Sequence, residues 1–245
     1  NAVFITQITI LLVERRDRGG YRPTPEELAT ENVEAVIIGA TGNLDRHIRN
    51  MAGFGMPVVV SINRFSTDTD AELAALSDAA RASGATEVTI CEVHAKGGAG
   101  GEQLARAVVS AVHDHVAAGR PFTPLFMPDA TIREKIDSIA TRIYKADRVR
   151  IEISAAKQLA QIEKWGYGTL PVCMAKTQYS FSHDPNLLGS PSGFTIPIKE
   201  FRLNAGAGFV VAICGDMMTM PGLPERPAAL DMDMDENGNL IGVFG

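Results

Sequence analysis

The sequence has few cysteines, no cluster of positive charge and no apolar run long enough to cross a bilayer. Its 3 cysteines are an odd number without a CxxC pair, which argues against a disulfide framework or a thiolate metal site. Cys91, Cys173 and Cys214 each lie in an apolar run that predicts a strand. We therefore expect reduced thiols in the core of a cytoplasmic protein.

The charge balance also excludes one class of partner. Lysine and arginine number 23 against 29 acidic residues, which gives a net charge of -6. Nucleic-acid binding depends on clustered basic side chains that neutralise phosphates, so we expect no nucleic-acid partner. An anionic small ligand would instead need a local basic patch.

The N-terminal apolar run gives no membrane signal. Residues 2–13 are too few for a transmembrane helix, and no basic segment precedes them as in a signal peptide. They predict a strand. Because the chain opens at Asn1 with this strand-like run, we expect it to be part of a longer protein.

Strand, loop and helix then alternate along the chain. Residues 57–62, PVVVSI, form a β-branched run typical of a strand buried on both faces, and residues 87–93 predict the next strand. Each is followed by a polar loop and a helix, the first from a capping box at Thr69 and the second from Glu102 to Ala117. This order predicts an α/β layer with parallel strands and a ligand site at their carboxyl ends.

The proline-rich segment 119–128 marks a predicted domain boundary. We assign residues 1–119 to an α/β domain and residues 120–245 to a smaller α+β domain. The second domain is predicted to open with helices over 131–144 and 154–165 and to continue with short strands.

Two loops at predicted strand ends could bind a ligand. The loop from Asn63 to Asp68 carries Phe65, which would either stack on a flat ring or plug the top of the core. The loop from His94 to Gly101 is rich in glycine and leads into a helix, which suits an anion. It matches neither the Walker A pattern nor GxGxxG, so it is weak evidence for phosphate.

The second domain places polar groups after two further strands. Leu170 to Met174 leads into Lys176, Thr177 and Gln178, and Phe209 to Cys214 leads into Gly215 and Asp216. Lys176 and Thr177 would supply a charge and a hydroxyl to a nucleotide or its metal, or they are a surface lysine and a turn residue.

Two acidic or histidine-rich motifs are not predicted to bind metal. Residues 233–238 match the start of an EF-hand loop, but the twelfth position is Phe244, so we predict a hairpin with its turn at 236–238. His113, Asp114 and His115 predict a solvated helix end.

The amino-acid sequence of residues 170–224, together with the motifs Asn63-Arg64-Phe65 and Lys96-Gly97-Gly98, resembles that of formyltetrahydrofolate synthetase, also called formate–tetrahydrofolate ligase. The resemblance runs from about Gly19 to Phe244. It implies formate, ATP with Mg²⁺ and tetrahydrofolate as ligands. Formate would be phosphorylated to formyl phosphate, which N10 of tetrahydrofolate attacks to give 10-formyltetrahydrofolate. The resemblance also implies that the full-length protein is a homo-oligomer.

The resemblance implies roles for individual residues. An aromatic at the position of Phe65 stacks on the pterin, and His94 stands where the family usually has a tryptophan that faces it. The implied folate-binding residues are Asn63, Phe65, Asp68, His94, Lys96, Gly97 and Gly98. The implied nucleotide-side residues are Lys176, Thr177, Gln178, Pro191 and Gly193.

The chain departs from the family at two places. It contains no GKS or GKT, and the family's phosphate loop belongs to an N-terminal half that this chain lacks, so no catalytic residue is assigned. Residues 12–20 keep only the glycines of the family's His-Gly-Gly motif, which predicts a truncation or a reading-frame break before Gly19. We expect either the C-terminal part of a ligase or a non-catalytic folate-binding or interaction module, or an inactive remnant.

Overall fold

A computed structural model describes residues 3–6, 30–177, 180–187, 189–216, 226–227, 230, 232–236 and 240–241. The helices of the first part are α1 (Val33–Gly39), α2 (Asp45–Ala52), α3 (Asp70–Ala82), α4 (Val93–Lys96) and α5 (Glu102–Ala117). Its strands are β1 (Val3–Thr6), β2 (Val58–Asn63) and β3 (Glu87–Cys91). The later elements are α6 (Ile132–Ser138), β4 (Arg148–Ile151), α7 (Ile153–Lys164), β5 (Val172–Ala175), β6 (Thr195–Asn204), β7 (Phe209–Cys214), β8 (Asp233–Met234) and β9 (Leu240–Ile241).

The first sheet is parallel, with strand order β1-β2-β3. This confirms the predicted α/β class. Alternate residues of β2 enter the main core, where Val58, Val60 and Ile62 are fully buried against α1 to α3. Val59 and Ser61 on the opposite face are also buried, so β2 is covered on both faces as predicted.

One long helical segment packs over this sheet. It begins at Asn32, whose side chain accepts a hydrogen bond from the amide of Ala35, and it continues from α1 through a π-helical turn at Ala40–Leu44 into α2. This turn carries the helix past Gly39 and Gly42. Leu44 and Ile48 lie on its buried face.

The next strand is shorter than predicted. β3 ends at Cys91 rather than Val93, because the backbone turns at Glu92 and starts the single-turn helix α4. The capping box at Thr69 is present, with the amide of Glu72 donating to the Thr69 hydroxyl at 3.2 Å. Helix α5 has the predicted bounds.

The second sheet has the order β4-β6-β7-β5. β4 pairs with β6 and β5 with β7 in parallel, whereas β6 and β7 are antiparallel. The sequence predicted β7 with its observed bounds, but it predicted neither β4 nor the ten-residue β6. Helices α6 and α7 cover this sheet and bury residues such as Ile132, Leu159 and Ile196.

Lys135 lies inside the second core, with only 2% of its surface exposed. Its ammonium donates to the carbonyl oxygens of Pro128 at 2.9 Å, Thr169 at 2.5 Å and Leu170 at 3.5 Å. The Nζ also lies 5.8 Å from the centre of the Phe126 ring. Lys135 therefore joins the inter-sheet segment to the start of β5 by carbonyl contacts alone.

The segment between the two sheets packs on the first one. The rings of Phe54 and Phe122 stack at 5.7 Å, and the amide of Thr123 donates to the Phe54 carbonyl at 2.9 Å. Gly55 has φ +76, and a Cβ there would lie 2.7 Å from the Pro121 carbonyl oxygen. The chain needs glycine at this crossing.

The structure also tests three further predictions from the sequence. Cys91 and Cys214 are buried as predicted, but Cys173 is exposed, because this residue of β5 points away from the core. β8 and β9 pair antiparallel, which confirms the hairpin. His113 and Asp114 are exposed on α5, as expected of a solvated helix end.

Part of the early prediction lies outside the described residues. This applies to the predicted strand beyond Thr6 and to Gln178. None of the helices in the described ranges has the length and apolar character that a bilayer crossing requires.

Candidate functional site

The two predicted loops lie side by side at the carboxyl edge of the first sheet. Asn63 ends β2 opposite Cys91, which ends β3. The amide of Arg64 donates to the Cys91 carbonyl at 3.0 Å, so the first loop is bonded to the start of the second. This is the edge at which open parallel sheets bind ligands.

Phe65 points outward from the first loop, with 56% of its surface exposed. Its amide donates to the Asp68 carboxylate at 2.8 Å, and the Asp68 amide donates to the Phe65 carbonyl at 3.2 Å. Asp68 thus holds the turn that presents the ring. The structure excludes the alternative in which Phe65 plugs the core.

The second loop presents His94 on the exposed face of α4. Lys96, one residue from the loop glycines, donates to the Glu92 carboxylate at 2.6 Å, and this hydrogen bond lowers the pKa of Glu92. This ion pair is exposed and contributes little, so Lys96 can exchange Glu92 for an anionic ligand.

The glycines shape this loop differently from one another. Gly97 has φ +58, which favours glycine, and residues 97–101 form a 3-10 turn that runs directly into α5. A Cβ at Gly100 would lie 2.4 Å from the carbonyl carbon and oxygen of Glu92, whereas one at Gly98 would meet nothing within 4 Å. Gly100 is therefore required for close backbone packing, and Gly98 is open to the outside.

This edge combines an exposed phenyl ring, an exposed imidazole and backbone polar groups, while its charges are paired locally. Arg64 donates to Asp70 at 3.0 Å, and Glu102 at the start of α5 pairs with Arg106 at 2.5 Å. Such a surface suits a flat heteroaromatic ring better than a phosphate group. Asn63 lies partly buried at the end of β2.

A second group of polar side chains lies between the two sheets. Lys176 follows β5, and its Nζ is 5.0 Å from the centre of the Tyr144 ring. The ammonium donates to the Thr177 carbonyl at 2.9 Å and to the Ser180 carbonyl. Lys176 is partly buried, so it is not the surface lysine of the alternative reading.

Helix α2 brings two basic residues to Lys176. The Arg46 guanidinium donates to the Tyr144 carbonyl at 3.3 Å and lies 5.4 Å from the centre of the Phe181 ring. The His47 ring lies 4.8 Å from the same phenyl ring. We call Arg46, His47 and Lys176 the basic seam.

Sequence reasoning missed Arg46 and His47. Both lie on the polar side of a helix whose apolar side fits the first core, so local pattern indicates only solvent exposure. Arg46 contacts the carbonyl of Tyr144, which is 98 positions away along the chain, and nothing in the sequence indicates that contact.

Burial and charge perturb the titration of this group. Desolvation lowers the pKa of His47, and the positive charges of Arg46 and Lys176 lower it further. Desolvation lowers the pKa of Lys176 to about 8. It raises the pKa of Tyr144 to about 12 and that of Cys214 to about 12.

The other predicted nucleotide-side residues lie near this group. The Asn43 amide, in the π-helical turn before α2, donates to the Gly189 carbonyl at 3.5 Å, which places the turn containing Pro191 beside the helical segment. Pro191 is partly buried and Gly193 has φ +75. The Thr177 carbonyl accepts from Lys176.

No group of three or more histidine, cysteine or acidic side chains in the described ranges is arranged to hold a metal ion. The two predicted folate-side loops lie at one edge of the first sheet, while Lys176 and the turn after Gly189 lie near α2.

The lowered pKa of Lys176 predicts a pH-dependent stability. Between about pH 8 and about 10.4 the unfolded chain binds the lysine proton more tightly than the folded chain, so this residue makes stability rise with pH. Tyr144 and Cys214 act in the opposite sense above about pH 9. We expect the melting temperature of the parent minus that of Lys176→Met to increase from pH 8 to 10. A difference that stays constant would contradict the assignment.

Comparison with known proteins gives consistent matches. The family model described as formate–tetrahydrofolate ligase matches residues 3–244. The formate–tetrahydrofolate ligase of Methylobacterium nodulans is 52% identical over 219 residues, covering 89% of this chain and 38% of that protein. Those of Paracoccus denitrificans and Allorhizobium ampelinum are 52% and 50% identical over 226 residues, covering 92% of this chain and 39% and 40% of theirs. The chain thus spans about two fifths of the length of these relatives.

Proposed function

Because the chain belongs to the formate–tetrahydrofolate ligase family, we propose that it supplies the folate-binding edge and one wall of the nucleotide site for the ATP-dependent ligation of formate to tetrahydrofolate. The products of that reaction would be 10-formyltetrahydrofolate, ADP and phosphate. The observation that carries the proposal is the outward-facing Phe65 at an edge shared with His94.

In this proposal the pterin stacks on Phe65, and His94 faces it from the second loop. A phenyl ring and an imidazole both offer flat faces, although imidazole offers less area than the indole usual at that position. Asn63 and the backbone of Gly97 and Gly98 would meet the polar rim of the pterin. Asp68 contributes by holding the turn beneath Phe65.

The role of this chain in the chemical step is binding and orientation. Formate is a poor electrophile until it is phosphorylated, and phosphoryl transfer in such enzymes uses a glycine-lysine loop. The sequence has no GKS or GKT. The described side chains also offer no acidic cluster for Mg²⁺, so we derive no step through that ion.

On the nucleotide side we propose that Lys176, Thr177, Gln178, Pro191 and Gly193 form a wall of the ATP site. Lys176 would act through its charge, and Pro191 through its ring face. As in the family, we expect the complete protein to be a cytoplasmic homo-oligomer.

The absence of a phosphate loop favours a second candidate function for this chain alone, a non-catalytic folate-binding module. We expect the purified chain to show no formate-dependent ATP hydrolysis. Formation of ADP that requires both formate and tetrahydrofolate would contradict this.

Calorimetric titration with tetrahydrofolate tests the folate edge. We expect saturable binding by the parent and a loss of on the order of 10-fold in affinity in Phe65→Ala, because the stacked face is removed. His94→Trp should bind more tightly than the parent.

Trp165→Ala is the matched control, since this exposed aromatic is the C-cap of α7, which packs on the second sheet. Equal affinity in the parent and Phe65→Ala would reject the proposed pterin position. Absence of binding by both the parent and His94→Trp would mean that the family relation has not preserved the site.

A further inference from the structure

Among the described residues, the basic seam has an excess of positive charge that its contacts do not neutralise. The partners of Lys176 are the carbonyls of Thr177 and Ser180 and the ring of Tyr144. Those of Arg46 are the Tyr144 carbonyl and the Phe181 ring. Carbonyls and rings orient a cation without cancelling its charge.

The nearby carboxylate is already engaged. Asp45 acts on Arg46 through space, but both of its oxygens accept from Arg49 Nε at 2.8 Å. No carboxylate contributes to the shifted pKa of His47 or Lys176, whereas Arg46 and Lys176 both act on His47. In the described part of the chain, the seam thus places two cations beside an imidazole between aromatic walls.

Donor groups remain for a ligand. An ammonium has three N–H groups, and Lys176 uses two of them on carbonyls. A guanidinium has five, and one of those of Arg46 is used, on the Tyr144 carbonyl. The seam opens to solvent at His47, whose side chain is exposed on one side while its ring packs against Phe181.

We propose that Arg46, His47 and Lys176 bind a phosphate-class oxyanion between the two sheets. Two cations match the double charge of a phosphate, and the planar fork of arginine fits its oxygens. The seam residues come from α2 and the end of β5, so the anion would also join the two parts of the molecule. The anion could be the phosphoryl group of a nucleotide or free orthophosphate. Only the nucleotide source rests on the proposed function.

The ring carbon resonances of His47 report directly on this site. The chain has 5 histidines, and the signal of His47 is identified as the one lost in His47→Gln. We expect orthophosphate, compared with sodium chloride at equal ionic strength, to raise the pKa of His47 in a saturable manner, because the anion stabilises the imidazolium. The charged groups that act on His47 are Arg46 and Lys176, and these two in turn interact with Asp45, Tyr144 and Cys214.

Variants locate the anion. Arg46→Gln and Lys176→Gln should each weaken phosphate binding at least 10-fold, while Lys157→Gln, which removes an exposed charge on α7, should not change it. Arg46→Lys keeps the charge and should retain part of the affinity, which separates loss of an anion ligand from loss of folding. Thermal melts of each variant check the fold.

The ligand arms distinguish the sources. If ADP raises the pKa of His47 at a concentration at least 10-fold lower than orthophosphate, and adenosine has no effect, the natural ligand is a nucleotide phosphoryl group. If ADP and orthophosphate act at equal concentrations, the natural ligand is free phosphate. Either result supports the proposal. No change in the pKa of His47, the same change in Arg46→Gln, or a response to formate but not phosphate would overturn it. The tetrahydrofolate titration is independent of these outcomes.

Discussion

Replacing Lys135 with methionine is expected to lower the free energy of unfolding by about 2–4 kcal/mol. Methionine keeps most of the buried stem but cannot donate to the carbonyls of Pro128 and Thr169. Lys135 is itself buried, and a hydrogen bond from a charged donor contributes about 1.5–3 kcal/mol. The loss of the ammonium's own desolvation cost offsets part of this penalty.

Urea or thermal unfolding of the two proteins measures the difference. For a chain of this size, each kcal/mol corresponds to roughly 2–4 °C in melting temperature. Lys164→Met is the matched control, because Lys164 is exposed in the last turn of α7 and its loss should change stability by less than about 0.5 kcal/mol. A Lys135→Met protein as stable as this control would show that the carbonyl contacts contribute nothing net.

Replacing Gly100 with alanine is expected to cost about 1–3 kcal/mol of stability and about 10-fold in tetrahydrofolate affinity. The new methyl carbon would lie 2.4 Å from the Glu92 carbonyl atoms and 2.8 Å from the Val93 amide nitrogen. Those atoms are backbone and cannot rotate away. The hydrogen bond from the Glu92 amide to the Gly100 carbonyl, 3.0 Å long, must then break or stretch, and the loop that presents His94 shifts.

Gly98→Ala provides the comparison for this variant, since a Cβ there meets no atom within 4 Å. We expect Gly98→Ala to change stability by less than about 0.5 kcal/mol. Urea unfolding gives the stability and calorimetry gives the affinity. Equal stability of the two alanine variants would mean that backbone packing at Gly100 does not hold the second loop in place.

Local sequence was sufficient for elements whose signals are themselves local. The capping box at Thr69, the β-branched run of β2 and the helix at Glu102–Ala117 depend on neighbouring residues, and all three are observed. The long strand β6 was missed because Pro197, Lys199 and Glu200 interrupt its apolar pattern. There tertiary pairing with β4 and β7 overrides local propensity.

The candidate site divides in the same way. The proposed folate edge was predictable because both of its loops directly follow buried parallel strands, whose carboxyl ends meet at one edge. The basic seam was not predictable, because Arg46 and Lys176 are brought together only when helix α2 docks against the Tyr144 and Phe181 region. The direction of Phe65 also required the structure, since either orientation fitted the sequence.

Residue periodicity and motifs that are contiguous along the chain were enough to predict the α/β class, the strand-end loops and the family. Which charges remain unneutralised and which polar groups are buried became clear only in the folded chain. Desolvation and Coulomb interactions depend on distances through space, and the sequence separation between Arg46 and Tyr144, or between Lys135 and Thr169, contains no information about those distances.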